Sequence, residues 1–382
     1  MSRTVRILGT HGVPAAYGGF ETAAEAVARF LVGRGWRVVV YCQVPGDQPR
    51  SEDRWEGIER VNIPIARDGW LGTSEFDLRS VAHASRFRDV CLTFGYNTAV
   101  LNTAQRALRI PNAINMDGIE WSRARWGPVK QGILYANERI GCVVGDRLIA
   151  DHPEIETYLR RRAPARKITM ITYGADAVHE AGTEALEPYG LTPGGYLTLV
   201  ARPIPENSIL EIVRGFSERL RGRRLVVVGG YDPGADEYHR EVFAAASDEV
   251  QFVGGVYDRP RLDALRLHSL GYLHGHTVGG TNPSLVEALA AGNPVIAHDN
   301  PYNRWVAQDA ALYFRDAREA GRRVDELLES PGVAARLSAA ARERHRSEFT
   351  WEQVAGEYEE LLLELVQKNA RRRRRTNRTE RA

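Results

Sequence analysis

Cysteine is scarce in this chain. Three residues, Cys42, Cys91 and Cys142, are spread over 382 positions, each inside an apolar run. The number is odd and no C-x-x-C or His-flanked spacing occurs. This argues against a disulfide scaffold or a cysteine-based metal site and predicts buried free thiols in a reducing compartment. Long apolar runs are also missing: none approaches the ~18 residues of a spanning helix. The N-terminus, MSRTVRIL, enters a strand-like run at once, without the basic, apolar and small-residue succession of a secretory signal. The expected location is the cytoplasm. Lysine occurs only at 130, 167 and 368, so nearly all positive charge is arginine.

Net charge is small, +2, but unevenly placed. The segment Lys368–Ala382 holds one Lys, seven Arg and one Glu, a net +7, which leaves the remainder mildly acidic at −5. Such an end is usually a solvated, disordered tail. It also suits an anionic lipid surface, where each cation contributes ~1 kcal/mol. The inner face of the plasma membrane is therefore a peripheral location to test.

What the chain does have is alternation. VRIL, a helical pattern from about Glu21 to Gly33 and WRVVVYC read as β-α-β, followed by VCLTF, NAINM, DRLIA and KITMITYGAD. The segment EAGTEALEPYGLTPGG lacks periodicity and reads as a linker. YLTLVAR, RLVVVGG, VQFVGG, LGYLHG and PVIAHD then restart the pattern, separated by helices. Short buried strands alternating with helices imply parallel sheets with right-handed crossovers. The expected fold class is α/β, two Rossmann-like domains facing each other across a cleft. The expected boundaries are 1–185 and 186–349, with a terminal helix over 350–367 crossing back to the first domain and a basic tail over 368–382. Thr350, with Gln353 behind it, is a capping-box candidate for that helix.

Two glycine-rich turns connect a strand to a helix, the setting in which backbone N–H groups face an anion. The first is GTHGVPAAYGGFET, Gly9–Thr22. It is neither a P-loop, since no GK[ST] follows, nor a dinucleotide fingerprint, since Gly18 and Gly19 come too late and the next strand ends without an acidic residue. The second is GGTNPS, with Gly280, Thr281, Asn282 and Ser284 opening the helix SLVEALAAG. Anion-ready turns in both halves suggest one ligand gripped from two sides, for which a nucleoside diphosphate-sugar is suited. Glu287, one turn into the second helix, is placed to accept hydrogen bonds from ribose hydroxyls; a solvated helix face is the alternative.

NPSLVEALAAGNPVIA resembles the end of the E-x7-E and A-x-A-x-G-x-PV stretch of retaining glycosyltransferases of family 4, which have the two-domain GT-B fold. GTHGVPAAYGGFET, MDGIEWSRARW, ARPIPENSI and HGHTVGGTNPS resemble the subgroup containing bacterial rhamnosyltransferases. These blocks span Gly9 to about Ala297. Two departures stand out. The first Glu of E-x7-E falls at Gly279, so the sugar hydroxyls must be met by other groups, His276 or the amides of 280–282 being candidates. The family's Arg…Lys diphosphate clamp is matched by Arg202, but Asn207 stands at the Lys position.

The resemblance implies transfer of a sugar from a dTDP- or UDP-sugar, rhamnose from dTDP-rhamnose foremost, to a saccharide or lipid-linked saccharide of a cell-surface glycan, with retention at the anomeric carbon. Asp117, Arg202 and His276 are the implied catalytic residues. Gly18, Gly19, Asn207 and the second turn would assist in holding the donor. Asp117 can instead make an Asx turn with Gly118. Glu120, Trp121 and Arg125 are candidates for the acceptor side, against the alternative of a surface loop with the tryptophan turned inward. No D-x-D triplet occurs, so no metal and no cofactor are expected, and arginine with backbone dipoles would stabilise the diphosphate. A nucleotide-sugar epimerase of the same architecture, and a non-catalytic nucleic-acid binder using the arginine tail, are the alternatives. The second is disfavoured because it leaves both glycine turns unexplained.

Overall fold

The computed structural model describes residues 3–16, 18–123 and 125–379. They fall into two compact units, Met1–Thr172 together with Trp351–Ala382, and Tyr173–Thr350.

The first unit holds eight strands: β1 (Thr4–Leu8), β2 (Arg37–Pro45), β3 (Ser51–Trp55), β4 (Ile58–Ile65), β5 (Val90–Phe94), β6 (Asn112–Asn115), β7 (Arg147–Ala150) and β8 (Ile168–Met170). Their order is β3-β4-β2-β1-β5-β6-β7-β8. β1 and β5 are buried along their whole length, which is why they read as unbroken apolar runs. Every pairing is parallel except β3 with β4, joined by Glu56-Gly57. Both turn residues have positive φ, 49° and 82°, the twist a two-residue hairpin requires. Helices α1 (Gly19–Gly33), α2 (Gly69–Ala84), α3 (Asn102–Ala107), α4 (Pro128–Val144) and α5 (Pro153–Arg160) make the connections. The strand order reverses between β1 and β5, so the loops leaving those two strands open at a topological switch point.

The second unit holds β9 (Tyr196–Val200), β10 (Arg224–Val228), β11 (Val250–Phe252), β12 (Tyr272–His274), β13 (Val295–His298) and β14 (Ala311–Phe314). The order is β11-β10-β9-β12-β13-β14, all parallel. That is the doubly wound 3-2-1-4-5-6 order, with its switch point between β9 and β12. The connecting helices are α6 (Ile209–Ser217), α7 (Glu237–Ala244), α8 (Arg259–Leu267), α9 (Pro283–Ala290), α10 (Pro301–Ala307), α11 (Ala317–Glu329) and α12 (Pro331–Glu348). The stretch read as a linker belongs to this unit: Leu186 and Leu191 pack with Tyr196, Val226, Val228 and Leu265. Apolar anchors only five residues apart were hidden among prolines, glycines and acids. The contacts thus divide the chain at Thr172 and Tyr173, earlier than residue 185.

The last helix, α13 (Trp351–Thr379), is part of the first unit. Val354, Tyr358, Leu361, Leu362 and Leu365 are buried along one stripe. Tyr358 Oη accepts a hydrogen bond of 2.9 Å from Asn115 Nδ2. Glu359 accepts one of 2.9 Å from the buried Trp36 indole and one of 3.1 Å from Arg34. Glu359→Ala strands that indole N–H and is expected to cost about 1–3 kcal/mol, read from urea unfolding. A loss below about 0.5 kcal/mol would show that docking of the helix is purely apolar.

The basic end departs from the expected disorder. The helix continues through Lys368 to Thr379, while Glu380–Ala382 lie outside the described residues. Arginine is a good helix former, and extending a nucleated helix needs only one residue fixed per hydrogen bond. Cys42, Cys91 and Cys142 are buried and unpaired, as their apolar settings predict. Burial pushes the Cys142 and Cys91 thiols up to about 11 and about 12.

Candidate functional site

At the switch point of the second unit, two loops leave neighbouring strands side by side. The loop after β9 carries Ala201–Ile204, then a tight turn Pro205–Asn207, and enters α6 at Ser208, whose φ is +44°. The loop after β12 carries Gly275, His276 and the turn into α9. The loops meet backbone to backbone at Gly275, where a Cβ would stand 2.0 Å from the Asn207 carbonyl oxygen. Only glycine fits there.

This close approach builds a fixed polar chain. Asn207 Nδ2 donates to the Arg202 carbonyl at 2.7 Å. Asn207 Oδ1 lies 2.6 Å from His276 Nδ1. With the amide nitrogen committed to Arg202, the amide oxygen faces the imidazole, so Nδ1 carries a proton and donates to it. The His276 carbonyl accepts from Asn300 Nδ2 and Asn303 Nδ2 at 3.0 and 2.9 Å. Thr277 donates through both its N–H and its hydroxyl to the Glu206 carbonyl, each at 2.9 Å. Asn207 thus stands where a clamp cation was expected and uses both ends of its amide inside the protein. Its observed bonds position Arg202 and His276. Arg202 itself is exposed. His274 is buried at the end of β12, and burial drives its imidazole well below the usual range, so it is neutral.

The second glycine turn is more closed than its sequence suggests. Asn282 caps α9, accepting from the Ser284 N–H at 3.0 Å. Pro283 has no N–H to offer. The Ser284 hydroxyl donates to the Val200 carbonyl at 3.2 Å. Thr281 is buried and Gly280 half-buried. Gly279 has φ +114°, a conformation an L-residue rarely adopts. The absence of a glutamate there is consistent with the loop's own backbone. Glu287 is about a quarter exposed, and its Oε2 meets Arg266 Nη2 at 2.5 Å. Arg266 is nearly fully buried at the end of α8. Sequence reading missed it, because a lone arginine in DALRLH carries no motif.

The first unit has its own loops at a switch point. Gly9 and Gly12 have φ of +80° and +111°, and added Cβ atoms would meet Phe94 O at 2.2 Å and Cys42 Sγ at 2.5 Å. These two glycines shape the loop. Gly18 is extended at the N-cap of α1 and Gly19 begins the helix. Two carboxylates from α1 bind the loop: Glu21 accepts from the His11 N–H at 2.9 Å and Glu25 from the Ala15 N–H at 2.6 Å. Those amides are therefore spent internally.

Asp117 follows β6 with φ +51°. Strain of this kind concentrates at functional positions. Its N–H donates to Asn115 Oδ1 at 3.0 Å. Removal from water holds its carboxyl above the usual range, the nearby Glu120 carboxylate adding and Arg123 opposing. Glu120 is buried and acts as a hub, paired with Arg123 at 2.5 Å and with Arg125, and accepting from the Trp126 indole at 2.9 Å. Trp121 turns inward, donating to Glu138 and lying against Tyr158 Oη, both at 2.9 Å, with its ring edge-on to Tyr135. The aromatic–basic cluster is therefore internally satisfied, with Asp117 beside it.

Comparison with known proteins fits this architecture. Residues 18–174 match the family described as a glycosyl transferase 4-like domain, and residues 211–360 match one described as glycosyl transferase-like. Two stretches of the chain thus match glycosyltransferase domain families, and the two parallel sheets are those of the GT-B fold. No curated protein matches the sequence. Among solved structures, the sucrose-phosphate synthase of Thermosynechococcus elongatus superposes with a TM-score of 0.78 at 19% identity, over 96% of this chain and 100% of that one. Anabaena Alr3699/HepE in complex with UDP and glucose gives 0.75 at 16% identity, over 95% and 99%. An E. coli trehalose-6-phosphate structure bound with UDP-2-fluoro glucose gives 0.70 at 12%, over 95% and 99%. At these identities the likeness is one of fold.

Proposed function

We propose that the chain moves a sugar from a nucleoside diphosphate to a saccharide acceptor, without a metal and with retention at the anomeric carbon. One observation carries the reading: the two loops of the second unit's switch point bring exposed Arg202, the fixed imidazole of His276 and the turn 280–282 that leads into α9 onto neighbouring segments. Departure of the diphosphate leaves charge on its oxygens and an oxocarbenium-like sugar. A guanidinium aimed at that leaving charge, with backbone N–H groups beside it, lowers the barrier without reorganising. The imidazole of His276 is proposed to meet a sugar hydroxyl. Glu287 offers a carboxylate to the ribose. For Asp117, with its raised carboxyl, a contact to the donor sugar or the acceptor hydroxyl is proposed.

Rhamnose from dTDP-rhamnose, destined for a lipid-linked or cell-surface saccharide, is the specific substrate proposed. It rests on the motif resemblance. The neighbours described with UDP and glucose ligands favour testing UDP-sugars beside it. The basic stretch of α13 is proposed to hold the enzyme at an anionic leaflet; no described helix is long and apolar enough to cross a membrane.

The test is a panel of dTDP- and UDP-sugars with EDTA present. Thermal stabilisation by one donor, followed by NMR of the product linkage, is expected to show the donor's anomeric configuration preserved. An inverted product removes the retaining mechanism. Stabilisation by no nucleotide-sugar removes the reading altogether.

A further inference from the structure

Arg266 is one of the largest fully buried side chains in the chain, and it is a cation. Among the described residues its Nε has no hydrogen-bond partner. Burying a guanidinium with an unmet N–H is costly, so its surroundings should show what holds it. Its Nη2 meets Glu287 Oε2 at 2.5 Å, and its Nη1 stands 3.9 Å from Asp263 Oδ1. Its own carbonyl is tied by Asn293 Nδ2 at 2.8 Å. Asp263 in turn lies 3.7 Å from Arg259, which pairs with Asp176 at 2.6 Å. Arg266 therefore sits between two carboxylates that would otherwise repel one another, with Glu287 the one aimed from α9. Among the described residues only Oε2 of Glu287 is engaged by a side chain, which leaves Oε1 for an incoming hydroxyl.

We infer that Arg266 is a positioning residue for donor recognition: it pins one oxygen of Glu287 so that the other is presented, pre-oriented, to the sugar ring of the nucleotide. The inference rests on the reading of Glu287 as the ribose contact proposed above. The physical advantage is preorganisation. A free glutamate loses rotamer freedom when it binds a ligand, whereas one already fixed by a buried guanidinium loses little. Arg266 touches no substrate in this account; it acts through Glu287.

Binding by calorimetry tests this with UDP, dTDP and their 2′,3′-dideoxy counterparts, each against wild type, Glu287→Ala, Arg266→Met and Arg266→Lys. Wild type is expected to prefer the hydroxyl-bearing nucleotide by roughly 10- to 100-fold, the range for hydrogen bonds to a charged group. Glu287→Ala abolishes the preference. Arg266→Met lowers it at least several-fold while affinity for inorganic diphosphate stays at the wild-type value. Arg266→Lys keeps a charge but lacks the fork; it is expected to fall between, and it replaces the methionine variant if thermal melts show that one unfolded. Preference lost in Glu287→Ala but intact in both Arg266 variants overturns the role of Arg266 alone. No preference in wild type overturns the ribose reading of Glu287, and the inference with it.

Discussion

Arg202→Ala is expected to slow sugar transfer about 100- to 1,000-fold, the usual loss when one donor to a developing oxyanion is removed. The melting temperature should stay within a degree or two, since exposed surface substitutions rarely shift stability by more than about 0.5 kcal/mol. The side chain is exposed, while its backbone carbonyl is held by Asn207. The loop is thus fixed through the main chain and keeps its path when the guanidinium goes. The effect should fall on kcat more than on KM, because negative charge on the leaving diphosphate grows between ground and transition state and the interaction strengthens with it. Arg202→Lys should recover part of the rate, since a point charge keeps the attraction and loses the fork. Turnover by Arg202→Ala above a tenth of wild type would mean that the diphosphate charge is met elsewhere. Asn207→Ala offers a contrast within the same loop. It removes the bond to His276 Nδ1 that orients the ring.

The alternation of apolar runs and helical patterns made both sheets legible, because central parallel strands are buried on both faces and leave unbroken runs such as TVRIL and VCLTF. The strand β3, SEDRW, left no such trace: it is an edge strand with four of its five residues exposed. Glycine in Gly9–Thr22 was visible, but not which glycine mattered to the fold. Gly9 and Gly12 are required by φ and by the closeness of Phe94 and Cys42, and neither can be read without knowing what lies opposite. Long-range partners were hidden for the same reason. The Glu287–Arg266 pair joins residues 21 apart on two helices, and the bond between Asn207 and His276 spans 69 positions. A sequence supplies the two groups. Only the strand order, which puts β9 beside β12, makes them neighbours. Glu120, a candidate for the acceptor side, shows the opposite case: its partners Arg123, Arg125 and Trp126 all lie within six residues of it.

Asp77→Asn is expected to stabilise the first unit at neutral pH and to flatten its dependence on pH. Asp77 lies buried on α2 and accepts one hydrogen bond, 2.7 Å from the Thr98 hydroxyl. Burial pushes its carboxyl up to about 6 from an ordinary 3.8, the Thr98 bond opposing only in part. The folded state therefore holds a proton that the unfolded chain has released between pH ~4 and ~6. Stability from this group is fully present below pH ~4, falls as pH rises through that window and is gone above ~6. At 1.36 kcal/mol per pH unit, the two-unit shift amounts to about 3 kcal/mol lost at neutral pH. Asparagine is isosteric, keeps an acceptor for Thr98 and never ionises, so the variant should match wild type at pH 4 and exceed it by up to about 3 kcal/mol at pH 7.5. Urea unfolding followed by tryptophan fluorescence reads this unit well, since every tryptophan except Trp305 belongs to it. Parallel pH profiles for the two proteins would show that the carboxylate is solvated. A stabilised variant that has lost transfer would show the reverse, a charge kept on α2 against the fold's interest because catalysis uses it.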